Sequence, residues 1–438
     1  MPRRVVITGL GTLTAAGSGV DSLWSAAVEG RSCIAPIQAF DAGGYDARIA
    51  GEVRDFKAAR VVPKTYRKAT KVMARDIELA VGAADLAVRD AGLVTPGTDP
   101  DGQPTYDPTR TGAHIGAGLI AADVDELTEA LAGAVDETGN FDIHQWGAAG
   151  INGLTPLWLL KYLPNMLACH VTIIHDCQGP SNTITCGEAS GGLSIAESVR
   201  VLQRDKADVC FCGGAESKIN PMAFYRQQLT GRLTTRGNDA PAAAVRPFDE
   251  QAAGTVIGEG GGIIVIEAAE TAARRGARVY AELLGYGATM SVDPASDGIA
   301  PDPQGRGIAS AINAALADGS TDPGQVDAVV AFGSGTPDYD KAEASALNAV
   351  FGQRLGDVPV VSVKPLVGNC GAGGGGLDVA IACRMLIDQT LPARINCDLP
   401  IGGVNAGSAP SEPATLNRVL VYSTALGGQN VAMVLGRV

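Results

Sequence analysis

The sequence predicts an α/β fold, with parallel or mixed sheets covered by helices in each of two halves. Three observations carry this. Short β-branched runs alternate with stretches whose apolar residues fall at helical spacing, in the first half and again in the second. Hydrophobic residues make up 46% of the 438 residues, enough for a substantial buried core, and charged residues, at 18%, are too few for a disordered chain. The 57 glycines are nearly twice the usual share of ~7%, which calls for many tight turns and close backbone approaches.

Val5–Gly11 (VVITGLG) reads as a buried strand ending in glycine. Ile77, Ala80, Val81, Ala84 and Val88 lie on one helical face, and Gly92 closes that helix. Residues 94–110, rich in Pro, Gly and Asp, read as a loop. Ala207–Cys212 is a second buried strand. In the second half, strands are expected at Ile263–Ile266, Val326–Phe332, Val358–Val363, Val419–Ser423 and Val431–Leu435. Helices are expected at Ile308–Ala317, at Ala342–Phe351, and from the glycine-rich stretch 371–376 through about Asp388. A boundary falls near residues 250–260.

A net charge of −13 disfavours nucleic acid or an anionic membrane as partner. No run of 18 apolar residues exists, and the start MPRRVVITGLG enters a strand at once, so a cytoplasmic location is expected. Nine cysteines in a chain this long, without a CxxC pair, read mostly as small buried hydrophobes rather than a disulfide or metal framework.

The segment Gly179-Pro-Ser-Asn-Thr-Ile-Thr-Cys-Gly-Glu188-Ala-Ser-Gly-Gly192 passes from a β-type run into a helix with Leu193, Ala196, Val199 and Leu202 on one face. Glu188 falls at the strand-to-helix turn, where backbone N–H groups and the helix dipole favour negative charge. Such elbows often carry a nucleophile. A carboxylate there is equally a helix-start residue, and the local pattern leaves both readings open. Cys186, two residues earlier, would need a base to act and reads as a strand cysteine. The four histidines are His114, His144, His170 and His175, and none follows residue 175. His170 and His175 flank an apolar run and read as packing or hydrogen-bonding residues. The loops Phe332–Pro337 and Lys364–Gly371 follow strands, at carboxyl ends where α/β sites gather. Gly371–Gly376 lacks the phosphate-loop pattern and reads as close helix packing.

Taken in order, VVITGLG, GPSNTIT, ADVCFCGGAE, RPFDEQAAGTVIGEGGGIIVIE, FGSGTPDYDKAEA, VKPLVGNCGAGGG and STALGGQN resemble a β-ketoacyl synthase along essentially the whole chain. The resemblance implies a thiolase-like fold: two pseudo-duplicated βαβ halves, residues 1–257 and 258–438, layered α-β-α-β-α. In active members an elbow cysteine nine residues after the glycine of GPS carries the acyl chain as a thioester. Two histidines from the second half assist decarboxylation and stabilise the enolate oxyanion. Here those three positions hold Glu188, Phe332 and Asn369. Lys364 matches the family's active-site lysine, and Asp340 and Glu343 match its acidic positions. A carboxylate is a poor acyl nucleophile, Phe332 has no proton to exchange, and Asn369 can donate but not titrate.

Lost chemistry on a retained framework is similar to the chain-length factors, silent partners of an active cysteine-bearing ketosynthase in type II polyketide synthases. These usually carry glutamine at the elbow, so Glu188 is a departure. The resemblance implies a heterodimer and no cofactor of this chain's own, the acyl group riding on the phosphopantetheine of an acyl carrier protein. It places Leu119, Ile120, Leu157 and Trp158 at the tunnel and dimer interface, where core packing is the rival reading. It places Arg67, Lys68 and Lys71 at carrier-protein docking, where a solvated face is the rival. The gating loop GFGG reads Ala425-Leu426-Gly427-Gly428 here. Two other functions stay open: an enzyme with altered acyl-carrier chemistry using Glu188 as base, and a homodimeric acyl-binding protein.

Overall fold

Ten consecutive buried residues, Val5–Thr14, form the strand from which both halves are built in a computed structural model that describes residues 3–296 and 300–438. Met1 and Pro2 of the start lie outside the described residues. The strand pairs antiparallel with Gly260–Ala268 along its length. Through Val5–Ile7 it also pairs antiparallel with Ala281–Leu283, and this short seam joins the two halves into one continuous sheet path.

From the seam outward, the first half runs Val5–Thr14, Gly260–Ala268, Val209–Glu216, Thr111–Gly116 and Ser181–Ile184. Its pairings are antiparallel, antiparallel, parallel, parallel. The second half runs Ala281–Met290, Gln429–Gly436, Arg418–Thr424, Ala328–Val330 and Val360–Val361, with the same sequence of pairings. That repetition is the internal duplication. It also corrects the boundary at 257/258. Gly260–Ala268 is hydrogen-bonded between two strands of the first half, so the halves meet after the short helix Ala269–Arg274, before Ala281.

Helices Ser190–Gln203 and Gly374–Asp388 lie between the two sheets and touch strands of both. Arg75–Asp90 covers the outer face of the first sheet, and Arg306–Asp318, backed by Pro337–Phe351, covers that of the second. The layers are therefore α-β-α-β-α. Position explains the sequence pattern. The central helix Ser190–Gln203 was expected to bury one face, yet Ile195, Ala196, Val199, Val201 and Leu202 are all buried, because sheet lies on both sides of it. Glycine allows the other central helix, Gly374–Asp388, to approach its neighbours. A Cβ on Gly375 would lie 2.5 Å from Gly192 N, and one on Gly376 only 1.9 Å from the Gly262 carbonyl oxygen. The glycine-rich stretch thus serves close packing.

Two expected strands are shorter than read. The second-half strands at 326–332 and 358–363 keep ladder pairing only over Ala328–Val330 and Val360–Val361. Beyond these the backbone leaves the sheet for the loops that carry Phe332 and Lys364. Among the described residues no helix is long and apolar enough to cross a membrane.

Candidate functional site

The elbow is built by glycine and serine. Gly187 adopts φ +56°, a left-handed conformation that turns the chain from the strand Ser181–Ile184 into the helix. The Ser190 hydroxyl accepts from Cys186 N–H at 2.7 Å and donates to the Gly187 carbonyl at 2.7 Å, which fixes the turn. Glu188 follows in a single 3-10 turn, Gly187–Ala189, that feeds helix Ser190–Gln203.

The Glu188 side chain is 5% exposed. Its Oε1 accepts from Arg232 Nη2 at 2.6 Å and from Asn369 Nδ2 at 3.3 Å, and its Oε2 accepts from Leu426 N–H at 3.1 Å. The Ser423 hydroxyl donates to its backbone oxygen at 3.1 Å. Burial alone would push this carboxyl up, but the Arg232 and Lys218 cations outweigh burial and hold it at about 2. Burial opposes the charge on Arg232 too, and Glu188 and Tyr339 beside it raise the guanidinium's pKa. The guanidinium carbon sits 4.7 Å from the Tyr339 ring centroid. Lys218 lies 3.0 Å from Glu216, whose other oxygen accepts Ala372 N–H at 2.7 Å.

Phe332 is buried where the second sheet ends. Lys364 Nζ lies 5.2 Å from its ring centroid and is held by both oxygens of Asp378, at 2.8 and 3.0 Å. Glu343 accepts from Gly333 N–H at 2.9 Å and from the Tyr422 hydroxyl at 2.8 Å. Asp340 accepts from Phe248 N–H at 2.7 Å and Gly335 N–H at 3.2 Å. Burial pushes Glu343 up to about 7, and burial with Glu343 nearby raises Asp340 well above the carboxylate range. These carboxyls tie the glycine-rich loop after Phe332 to its helix.

The fold thus brings Glu188 and Asn369 into hydrogen-bond reach, with Phe332 one layer away behind Tyr339, at 6.3 Å between ring centroids. A cavity of about 380 Å³ opens beside the elbow, lined by Leu119, Pro164, Thr185, Glu188, Lys218, Arg232 and Leu426 among others. Of the four residues expected at tunnel and interface, Leu119 lines this cavity. Ile120 is buried in the core under helix Arg75–Asp90. Leu157 is exposed and left-handed at φ +66°, and the half-buried Trp158 stacks on Tyr162 at 5.2 Å. Arg67, Lys68 and Lys71 lie exposed on the 3-10 run Lys64–Val72. Leu426 belongs to the tight turn between Arg418–Thr424 and Gln429–Gly436, with Gly427 and Gly428 at positive φ.

His170 hydrogen-bonds Tyr66 at 2.8 Å and His175 hydrogen-bonds Thr95 at 2.9 Å, both away from the elbow. His114, buried on its strand, meets Ser198 at 2.9 Å. All nine cysteines are free, six of them buried, and burial raises the Cys186 thiol. Sequence reading missed Arg232, Lys218, Tyr339 and Asp378. Asp378 had a signal, as the first charge in an apolar, glycine-rich helix. Arg232 had none, since it lies 44 residues from its partner with no periodicity linking them.

Two family models match the chain: Beta-ketoacyl synthase, N-terminal domain, over residues 2–272, and Beta-ketoacyl synthase, C-terminal domain, over residues 280–398. The 3-oxoacyl-[acyl-carrier-protein] synthase 2 of Coxiella burnetii is 32% identical over 439 residues, covering 100% of this chain and 99% of its own length. The protein of the same name from Synechocystis sp. is 31% identical, covering 98% and 97%. Among solved structures, the ishigamide ketosynthase/chain length factor superposes with a TM-score of 0.84 at 27% identity over the whole of both chains.

Proposed function

The chain belongs to the β-ketoacyl synthase family, and on that premise we propose that it is a catalytically silent chain-length factor. It pairs with an active, cysteine-bearing ketosynthase and shapes the acyl tunnel that sets polyketide length. One observation carries this reading. The elbow side chain that would have to attack a thioester is a buried carboxylate, neutralised by Arg232 and tied to Leu426 and Asn369.

That arrangement also weakens the rival reading of Glu188 as general base. A useful base titrates near the working pH, and a carboxyl held at about 2 takes up a proton poorly. Phe332 offers no donor to an enolate oxygen.

A partner subunit is supported by what the first half leaves uncovered. Strand Ser181–Ile184 ends the sheet, with no strand on its far side among the described residues. Leu119, Leu157, Leu159 and Ile173 are large, apolar and exposed. Unpaired edges and apolar patches of this kind are what a protein interface covers. Arg67, Lys68 and Lys71 take part in no ion pair among the described residues, so they suit an acidic carrier protein bearing the phosphopantetheine-linked chain.

Co-expression with the ketosynthase encoded beside it, followed by size-exclusion chromatography with light scattering, tests the reading. A one-to-one heterodimer, with this chain poorly soluble alone, is expected. A stable homodimer that ignores the ketosynthase would overturn the reading.

A further inference from the structure

We propose that Arg232 is a specificity-determining residue: with Glu188 it forms a charge lock that closes this chain's own elbow cavity to hydrocarbon. The inference rests on the silent-subunit reading and deepens it. It explains where a growing chain cannot go.

The cavity has the size of a small-molecule site, about 380 Å³ against roughly 300–1,000 Å³ for such sites in general. Its lining includes the exposed Leu119 and the apolar Pro164 and Leu426. Volume and these apolar residues alone would admit an acyl chain. Its buried lining would not, because Glu188, Arg232 and Glu216 are buried there, with Lys218 beside Glu216. Glu188 and Arg232 are paired at 2.6 Å, and Lys218 and Glu216 at 3.0 Å.

An acyl chain laid against these groups would strip them of their remaining solvent and offer no hydrogen bond in return. Apolar burial therefore gains nothing where these groups line the cavity. Arg232 is the keystone for geometric reasons. It is the cation in direct contact with the elbow carboxylate, and its guanidinium is held over Tyr339. Without it Glu188 would keep only Asn369 and Leu426 N–H as side-chain hydrogen-bond partners, and the one nearby cation left, Lys218, is paired with Glu216. The same carboxylate pins the Leu426 turn, so the lock fixes that part of the cavity lining as well.

The test uses a ten-carbon fatty acid carrying a photoreactive diazirine, applied to the full chain in whichever soluble assembly it forms, with labelled peptides mapped by mass spectrometry. The wild-type chain is expected to show no label on peptides containing Leu119, Thr185 or Leu426. Glu188→Leu with Arg232→Leu removes all charge from the pair while keeping the site filled, and should raise label there on the order of tenfold. Should that pair of substitutions fail to fold, Glu188→Gln with Arg232→Met, closer in shape, takes its place with the same expected gain. Wild-type labelling at these peptides equal to the variant's, or a folded variant with no gain, would overturn the lock. Label on a ketosynthase chain in the same sample reports separately on the partner reading, so the two can fail independently.

Discussion

Two buried charged clusters lie at the central helices, one around Glu188 at the start of Ser190–Gln203 and one that includes Asp378 on Gly374–Asp388, and they handle burial in opposite ways. At the elbow, unlike charges touch: Glu188 has Arg232 at 2.6 Å, and its carboxyl is held at about 2. In the second half, Asp340 and Glu343 are close and alike, with Lys364 committed to Asp378, and both carboxyls are pushed up. All these groups are buried, so burial alone does not set ionisation. What decides the direction is whether nearby cations outweigh burial: they do at Glu188, whereas Asp378 is raised even with Lys364 at 2.8 Å. The elbow cluster is an ion pair that keeps its charge, whereas the second cluster uses carboxyl groups mainly as acceptors for loop amides.

The comparison breaks most sharply at Arg232. Arg232→Ala leaves Glu188 buried without its contacting cation and should cost about 3–5 kcal/mol, while Glu188→Leu with Arg232→Leu should be near neutral. Denaturant midpoints of the purified assembly measure both. A loss under ~1 kcal/mol for Arg232→Ala would put the pair among exposed ones.

The pH dependence should have opposite signs at the two clusters. Glu343 has a folded pKa raised from 4.5 to about 7, so its contribution is fully present below about 4.5 and is lost as pH rises through about 7. Over that window the wild type should lose stability that Glu343→Gln, which cannot titrate, does not lose. Glu188 is lowered from 4.5 to about 2, so its contribution is present above 4.5 and vanishes as pH falls toward 2. Thermal midpoints from about pH 2 to pH 8 for wild type and Glu343→Gln separate the two, since the substitution removes the loss above pH 4.5 and keeps the loss toward pH 2. Identical profiles would sink the assignment.

Surface contacts should matter less than either cluster. Arg67→Glu with Lys68→Glu should weaken binding of the acyl carrier protein to the assembly by about tenfold at low salt, with the gap narrowing as salt rises. Unchanged binding by calorimetry leaves these residues as a solvated face. The smallest effect is expected at Trp158, which stacks on Tyr162 away from the elbow cavity. Trp158→Ala should lengthen the product by no more than one extension unit, read by mass spectrometry of the released chains. An unchanged length assigns Trp158 to packing.

Much of the fold was legible because its signals are local. Buried strands such as Val209–Glu216 read as continuous apolar runs, and the helix Arg75–Asp90 shows its face at 3.6-residue spacing. The elbow was legible too, since a β-type run, a glycine and a helix start lie within a dozen residues around Glu188. Strand ends were less so: the 326–332 run is apolar but for Asp327, yet only Ala328–Val330 finds ladder partners. The place where the halves join falls about twenty residues beyond the expected boundary, because Gly260–Ala268 shows its allegiance only through strands far away in sequence.

By itself the sequence determined the α/β alternation and the position of Glu188 at a helix start. Those conclusions need only residue identity and short-range period. The state of Glu188 was decided by tertiary structure alone. Whether a buried carboxyl is neutral or charged depends on what stands within a few ångströms of it. That neighbour, Arg232, arrives from a loop 44 residues further along the chain, and only the folded packing brings the two together.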